Sequence, residues 1–237
     1  MSRTYSRRYR QPSPPPPVQN LAWWKSPLIL GSIIAGIGII GSTLWIEYTT
    51  QRVIHIRADD SSDSAEKYSL ERQQHCRASI QQYKPGDIAI TTAFADRPIT
   101  TQNISIFNSL SVLSQCNKAQ RPIKNQQPGT SLILLLEDVN RLIKKERDRQ
   151  NYNPVVVTIT LQDTEPGPNQ PSPDDQRLQE LVHQITAYQG TIMLMVENPT
   201  VNHQLRTVLT EETSAEICSF TDISNCVNKA FEVARKL

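Results

Sequence analysis

Histidine, cysteine, serine and carboxylate side chains are the groups from which hydrolytic, redox or metal chemistry is built, and in this chain of 237 residues they are dispersed. The four histidines, His55, His75, His183 and His203, stand apart, and none lies beside a serine or cysteine in a nucleophile turn of the GxSxG type. His183 follows Val182 of an apolar stripe and falls on the solvent side of its helix by spacing. Phosphoryl transfer would need a GxxxxGK[ST] loop or acids gathered at strand ends, and the spacing predicts neither. Gly36-Ile37-Gly38-Ile39-Ile40-Gly41 satisfies the GxGxxG pattern, but it sits inside an uncharged apolar run with no strand before it, where a pyrophosphate has no access. The chain is therefore expected not to be an enzyme, and no organic cofactor is expected.

The four cysteines, Cys76, Cys116, Cys218 and Cys226, form no CxxC pair, which argues against structural zinc. In an oxidising compartment they predict two disulfides. Cys218 closes a strand-like run and Cys226 lies in the first turns of the next helix, so a strand-turn-helix unit pairs them. Cys76 and Cys116, on helices expected to flank the run Asp87 to Phe94, make the second pair.

The longest apolar element is Pro27 to Ile46, which carries no charge and is long enough to cross a bilayer as a helix. Trp23 and Trp24 before it and Trp45 and Tyr48 at its end place amphipathic rings at both headgroup levels. The residues ahead of it hold Arg3, Arg7, Arg8, Arg10 and Lys25 and no acid, so the amino terminus is expected to stay in the cytoplasm. The bulky residues Leu44, Trp45 and Ile46 fit an uncleaved signal anchor better than a cleavage site. Gly31, Ala35, Gly38 and Ser42 fall on one helical stripe where a second backbone can approach, which predicts self-association.

The expected organisation is a basic, proline-rich cytoplasmic tail over 1–26, a transmembrane helix over 27–46, a polar linker over 47–63 and one domain over 64–237. The location expected is the plasma (inner) membrane of a bacterial envelope, with the domain periplasmic or otherwise outside. A net charge of +2 from 25 basic and 23 acidic residues gives no field suited to nucleic acid.

Within the domain, helix-like and strand-like runs alternate. Ser64 to Tyr83 reads as helix, Asp87 to Phe94 as strand, Asn103 to Lys118 as helix and Thr130 to Arg149 as a long helix with an apolar side. Pro154 to Leu161 and Thr191 to Glu197 have the β-branched and apolar character of strands buried on both faces. Between them, Ser172-Pro173-Asp174-Asp175 signals a helix start, and Asn198-Pro199 signals another. Ala215 to Phe220 and Asp222 to Arg235 complete the series as strand and helix. The fold class is α/β, a mainly parallel sheet with helices on both faces.

Ligands of such sheets bind beyond the carboxyl ends of the strands. That selects Ala93, Ala95, Asp96 and Arg97, then Thr130, then Asp163 and Glu165, then Asn198. The strand DIAITTAF, the segment Pro128-Gly129-Thr130-Ser131-Leu132 opening a long helix, and VVVTITL running into Gln162-Asp163-Thr164-Glu165 together resemble the von Willebrand factor type A domain over most of 87–237. The resemblance implies a protein-binding sheet top, often with a divalent metal held by a DxSxS loop after the first strand, a Thr in a second loop and an Asp after the next central strand.

By position, Thr130 and Asp163 match the last two and are the residual candidates for magnesium or manganese. If DIAITTAF is the family's first strand, Ala93, Ala95 and Arg97 stand where Asp, Ser and Ser belong, and a hard cation lacks its oxygens. The expectation is a membrane-anchored docking module that works without metal. The alternative is a divalent-cation-dependent adhesion or ligand-binding receptor, and a third reading is an enzyme of unknown chemistry.

Overall fold

The computed structural model describes residues 52–106, 112, 116, 128–149, 154–167, 174–210 and 212–236. The tail and the apolar segment Pro27 to Ile46, with their tryptophans and small-residue stripe, lie outside the described residues. Among the described residues no helix is long and apolar enough to cross a membrane.

The strands are β1 (Ile54–Asp60), β2 (Ile88–Phe94), β3 (Pro98–Ser105), β4 (Val155–Leu161), β5 (Gly190–Val196) and β6 (Ala215–Cys218). The helices are α1 (Ser69–Gln82), α2 (Leu132–Arg149), α3 (Asp175–Thr186), α4 (Pro199–Val208) and α5 (Ile223–Ala234), with short 3-10 segments at Asp63–Tyr68 and Phe220–Asp222. The six strands form one sheet in the order β3-β2-β1-β4-β5-β6. Every neighbouring pair is parallel except β2 with β3.

The structure departs from the sequence expectation at β1 and at β3. The polar composition of 47–63 predicts a linker, yet Ile54–Asp60 is the strand that β2 and β4 both pair with, and all seven of its residues are buried. Its alternation of Ile54, Ile56 and Ala58 with His55, Arg57 and Asp59 resembles a half-solvated stretch, but helices cover both of its faces. The helical spacing of Asn103 to Lys118 fails at its start, because Asn103 to Ser105 end the antiparallel edge strand β3, whose side chains are mostly half-buried or exposed.

On one face, the apolar sides of α2, α3 and α4 pack with Ile54, Ile56, Val155, Val157, Ile159, Ile192 and Leu194. On the other, α1 and α5 cover Ala89, Val156, Met193 and Met195, and this layer also holds the polar side chains of β1. The helix starts behave as their sequences require: Asp174 accepts from the amides of Gln176 and Arg177, and Asn198 accepts from Thr200 N at 3.0 Å.

Both expected disulfides are formed, Cys76 to Cys116 and Cys218 to Cys226, with Cα atoms 5.5 and 6.5 Å apart. The buried carboxylate of Asp87 accepts from Val53 N and Lys84 N at 2.8 Å each and pairs with Arg235 at 2.7 Å. It thereby ties the entry of β1 to the residue that follows α5.

Candidate functional site

From β1 the chain crosses to β2 on one side and later to β4 on the other, so the strand order reverses between β1 and β4. A crevice forms at the carboxyl ends of two strands where their connections diverge in this way. Asp60 ends β1 there, and Gln162 and Asp163 follow β4.

The loop leaving β1 is Asp60-Ser61-Ser62-Asp63-Ser64. It has the DxSxS pattern, at Asp60, Ser62 and Ser64, and it follows the first strand of the sheet. DIAITTAF is the second strand, so Ala93, Ala95 and Arg97 belong to the end of β2 and to the turn into β3. The position expected of Ala93, Ala95 and Arg97, after the first strand, is held instead by Asp60, Ser62 and Ser64.

Asp60 is buried, and its Oδ1 accepts from Ser62 N at 2.9 Å and Ser62 Oγ at 2.6 Å. Its Oδ2 accepts from Gln162 N at 3.0 Å, which fastens the loop after β1 to the loop after β4. The hydroxyls of Ser62 and Ser64 are 3.1 Å apart. Burial raises the Asp60 carboxyl above its usual value, and the hydrogen bonds from Ser62 and Gln162 oppose that rise. Ser64, Gln162 and Asp163 line an open groove together with Asp63, Glu66 and Lys67. Asp163 Oδ1 accepts from the amides of Thr164 and Glu165 at 2.7 and 3.2 Å, so its own loop sets its orientation.

The other sequence candidates lie around this centre. Thr130 is buried and its amide donates to Glu165 O at 2.7 Å, which holds the start of α2 against the loop that bears Asp163. Gly129, at φ +123°, approaches Gly167 so closely that any Cβ would collide with its backbone. Ser131 N donates to Ala95 O at 2.9 Å, and Ser61 N donates to Phe94 O at 2.8 Å, which joins the end of β2 to both loops. Ala95 and Asp96 are buried and Arg97 is exposed. Asn198 is occupied as the cap of α4, at the end of β5, where its side chain accepts from Thr200 N.

Sequence reasoning missed Asp60, Ser62 and Ser64. The signal was the run Val53-Ile54-His55-Ile56-Arg57-Ala58 immediately before them.

As a donor set, Asp60, Ser62, Ser64, Thr130 and Asp163 supply only oxygen, which suits magnesium or manganese rather than a soft metal. Gln162 Oε1 is buried beside them and has no hydrogen-bond partner among the described residues. The residues present therefore fit a hard divalent ion.

Behind Asp60, on the opposite face of β1, Asp59 is held by Arg57 Nε at 3.0 Å, by His75 Nδ1 at 2.7 Å and by Thr160 Oγ1 at 3.3 Å. Burial alone would raise its carboxyl, but the charge of Arg57 and the attraction and hydrogen bond of His75 Nδ1–H bring it down to about 2. Thr158 Oγ1 bridges the rings of His75 and His55, at 2.7 and 2.8 Å, and Tyr83 Oη lies 2.8 Å from His55 Nδ1. The exposed ring of His183, as its spacing predicts, faces outward, where it meets Glu212 at 3.0 Å.

No family model matches this sequence, and no curated protein matches it. Solved structures do. A von Willebrand factor type A protein from Catenulispora acidiphila superimposes with a TM-score of 0.55 at 14% identity, over 79% of this chain and 42% of its own. The manganese-loaded TRAP protein of Plasmodium vivax gives 0.57 at 13% identity, over 76% and 74% of the two chains. An aerotolerance-related membrane protein from Bacteroides fragilis gives 0.57 at 10% identity, over 78% of this chain and all of the other. This chain thus spans less than half of the Catenulispora protein. At such identities the likeness carries the fold, and the fold of this chain is that of a von Willebrand factor type A domain.

Proposed function

We propose that this chain is a membrane-anchored ligand-binding module that docks a protein partner at the carboxyl ends of β1 and β4 through a divalent cation. The observation that carries the reading is the Asp60-Ser62-Ser64 pattern after the first strand, fastened to the loop of Asp163 through Gln162 N. Asp60 and Asp163 would hold the ion by charge, and Ser62, Ser64 and Thr130 by their hydroxyl oxygens. The ion would supply a Lewis-acidic contact to an oxygen of the partner, for which a carboxylate is the best donor. Support for cation binding also comes from the manganese-loaded neighbour of the same fold.

The apolar run Pro27 to Ile46 and the arginines before it support a single span with the domain outside, and the two disulfides fit an oxidising compartment. The stripe Gly31, Ala35, Gly38 and Ser42 supports self-association in the bilayer. The reading contains no catalytic step.

Docking through the same loops without metal is favoured by one observation. Asp60 already accepts three hydrogen bonds from Ser62 and Gln162, so the loop is held closed by the protein alone. Melting the full chain in mild detergent separates the two. Stabilisation by millimolar manganese that disappears in Asp60→Ala supports the cation, and an unchanged midpoint supports metal-free docking.

A further inference from the structure

Arg72 is nearly sealed from solvent, at 3% exposure, on the first turns of α1. A buried guanidinium ordinarily lies against a carboxylate, because removing an unpaired charge from water is costly. Among the described residues Arg72 has no such ion pair. Its Nη1 instead donates to two backbone carbonyls, Asp60 O at 3.3 Å and Ala65 O at 2.5 Å, while its Nε has no hydrogen-bond partner among the described residues.

Those two carbonyls flank the candidate cation loop. Asp60 opens it, Ser61 to Ser64 cross it, and Ala65 follows it. Inside the loop, Ser62 N and Oγ donate to Asp60 Oδ1, and Ala65 N donates to Ser62 O at 3.0 Å. One guanidinium nitrogen thus joins from beneath the two ends that the loop's own bonds fold together from above. The two N–H bonds of Nη1 diverge within the rigid guanidinium plane, so this one nitrogen reaches both carbonyls in fixed directions, whereas a lysine ammonium is a point charge on a flexible stem.

We propose that Arg72 is the positioning residue of the Asp60–Ser64 loop: by bridging the carbonyls of Asp60 and Ala65 it holds the oxygens of Asp60, Ser62 and Ser64 in their binding arrangement. The proposal rests on the cation-binding reading for its functional consequence and on the loop geometry for its physical content. A rival role is purely electrostatic. Its charge also acts on the carboxylates of Asp59 and Asp60, and a guanidinium that served only to balance them would compete with a bound cation.

The test uses the full chain in mild detergent, with Arg72→Lys keeping the charge and losing the fork, and Arg72→Gln losing the charge. Manganese binding is titrated calorimetrically, and amide exchange of Ser62 and Ala65 is followed in chelator. Leu205→Ala, on α4 in the other core layer, serves as a destabilised control. The expected result is at least tenfold weaker manganese binding in both Arg72 variants, with Ser62 and Ala65 exchanging at least tenfold faster while β4 amides stay protected. The control should lower the melting point without changing manganese affinity.

Unchanged affinity and unchanged exchange in Arg72→Lys would overturn the proposal, and tighter binding in Arg72→Gln would establish the electrostatic role instead. Wild type that binds no manganese would overturn the cation reading, and the exchange rates, which need no metal, would still decide the clamp. Should Arg72→Gln fail to fold, Arg72→Lys decides alone.

Discussion

His75 Nδ1 lies 2.7 Å from Asp59 Oδ1, and both residues are buried. A carboxylate only accepts, so Nδ1 carries the proton and His75 Nε2 accepts from the Thr158 hydroxyl. That hydroxyl oxygen in turn accepts from His55 Nε2, whose Nδ1 accepts from Tyr83 Oη. One arrangement of protons satisfies the whole row, with both rings neutral. Burial holds His75 below the ordinary histidine value despite the pull of Asp59, and it holds His55 well below, helped by the repulsion that a second proton on the His75–His55 row would meet and by the charge of Arg57.

These shifts fix the sign of a pH dependence. The unfolded chain takes up protons on both rings near pH 6.5 while the folded chain does not, so acid favours unfolding. Stability should be level above about pH 7 and should fall as pH drops below about 6.5, by up to roughly 1.4 kcal/mol per pH unit for each histidine. Urea midpoints at pH 7.5, 6 and 5 check this. A midpoint that rises on acidification would contradict the neutral row.

Thr158 is the only hydroxyl in the row that both donates and accepts between rings. Thr158→Val preserves shape and leaves two ring nitrogens without partners, a loss of about 3 kcal/mol. Thr158→Ser keeps the hydroxyl and should cost well under half of that. Chemical denaturation of the two variants, compared at pH 7.5, is the measurement.

Gly129 should tolerate no side chain. Gly129→Ala meets the backbone of Gly167 and also an unfavourable φ. The expected effect is a loss of more than about 1 kcal/mol of stability, together with weaker manganese binding as Thr130 parts from the loop of Asp163. A parallel Gly86→Ala, at φ +91° but facing the end of the Arg52 side chain, should lose stability and keep the cation affinity.

For the cation itself, Asp60→Ala and Asp163→Ala should each abolish the stabilisation that manganese gives the wild type. At a hundredfold excess over Kd that stabilisation is about 2.7 kcal/mol, or several degrees in Tm. Differential scanning in manganese and in chelator reads it directly.

The two disulfides should differ in weight. Cys76–Cys116 spans 40 residues and Cys218–Cys226 spans 8, so loop-closure entropy assigns them roughly 4 and roughly 2.5 kcal/mol. Paired Cys→Ser variants, unfolded without reductant, give the comparison. Denatured wild type should show no titratable thiol.

Legibility in the sequence followed the chemistry of burial. Strands β4 and β5 declare themselves because both of their faces meet mainly aliphatic side chains, and α2, α3 and α5 because one side of each is apolar. The cysteine pairs were readable from the elements that carry them. Strand β1 was hidden because half of its buried side chains are His55, Arg57 and Asp59, which become acceptable inside only through partners supplied by Tyr83, His75, Thr158 and Thr160 from distant parts of the chain. A polar 47–63 reads as a linker, which leaves Asp60, Ser62 and Ser64 with no strand before them and puts Ala93, Ala95 and Arg97 against a pattern that belongs one strand earlier. Strand β3 was hidden for another reason: Pro98 to Ser105 lies at the sheet edge and needs little apolar character.

The latch between Asp87 and Arg235, with the ring of Phe231 4.9 Å from that of His55, bears on how the protein is made. Without Ile223 to Ala234 the polar side of the central strand is roofed by α1 alone, so the His55 ring, which packs on Phe231, cannot leave water completely until α5 has docked. Complete burial of the central strand therefore waits for a helix that the ribosome makes long after it.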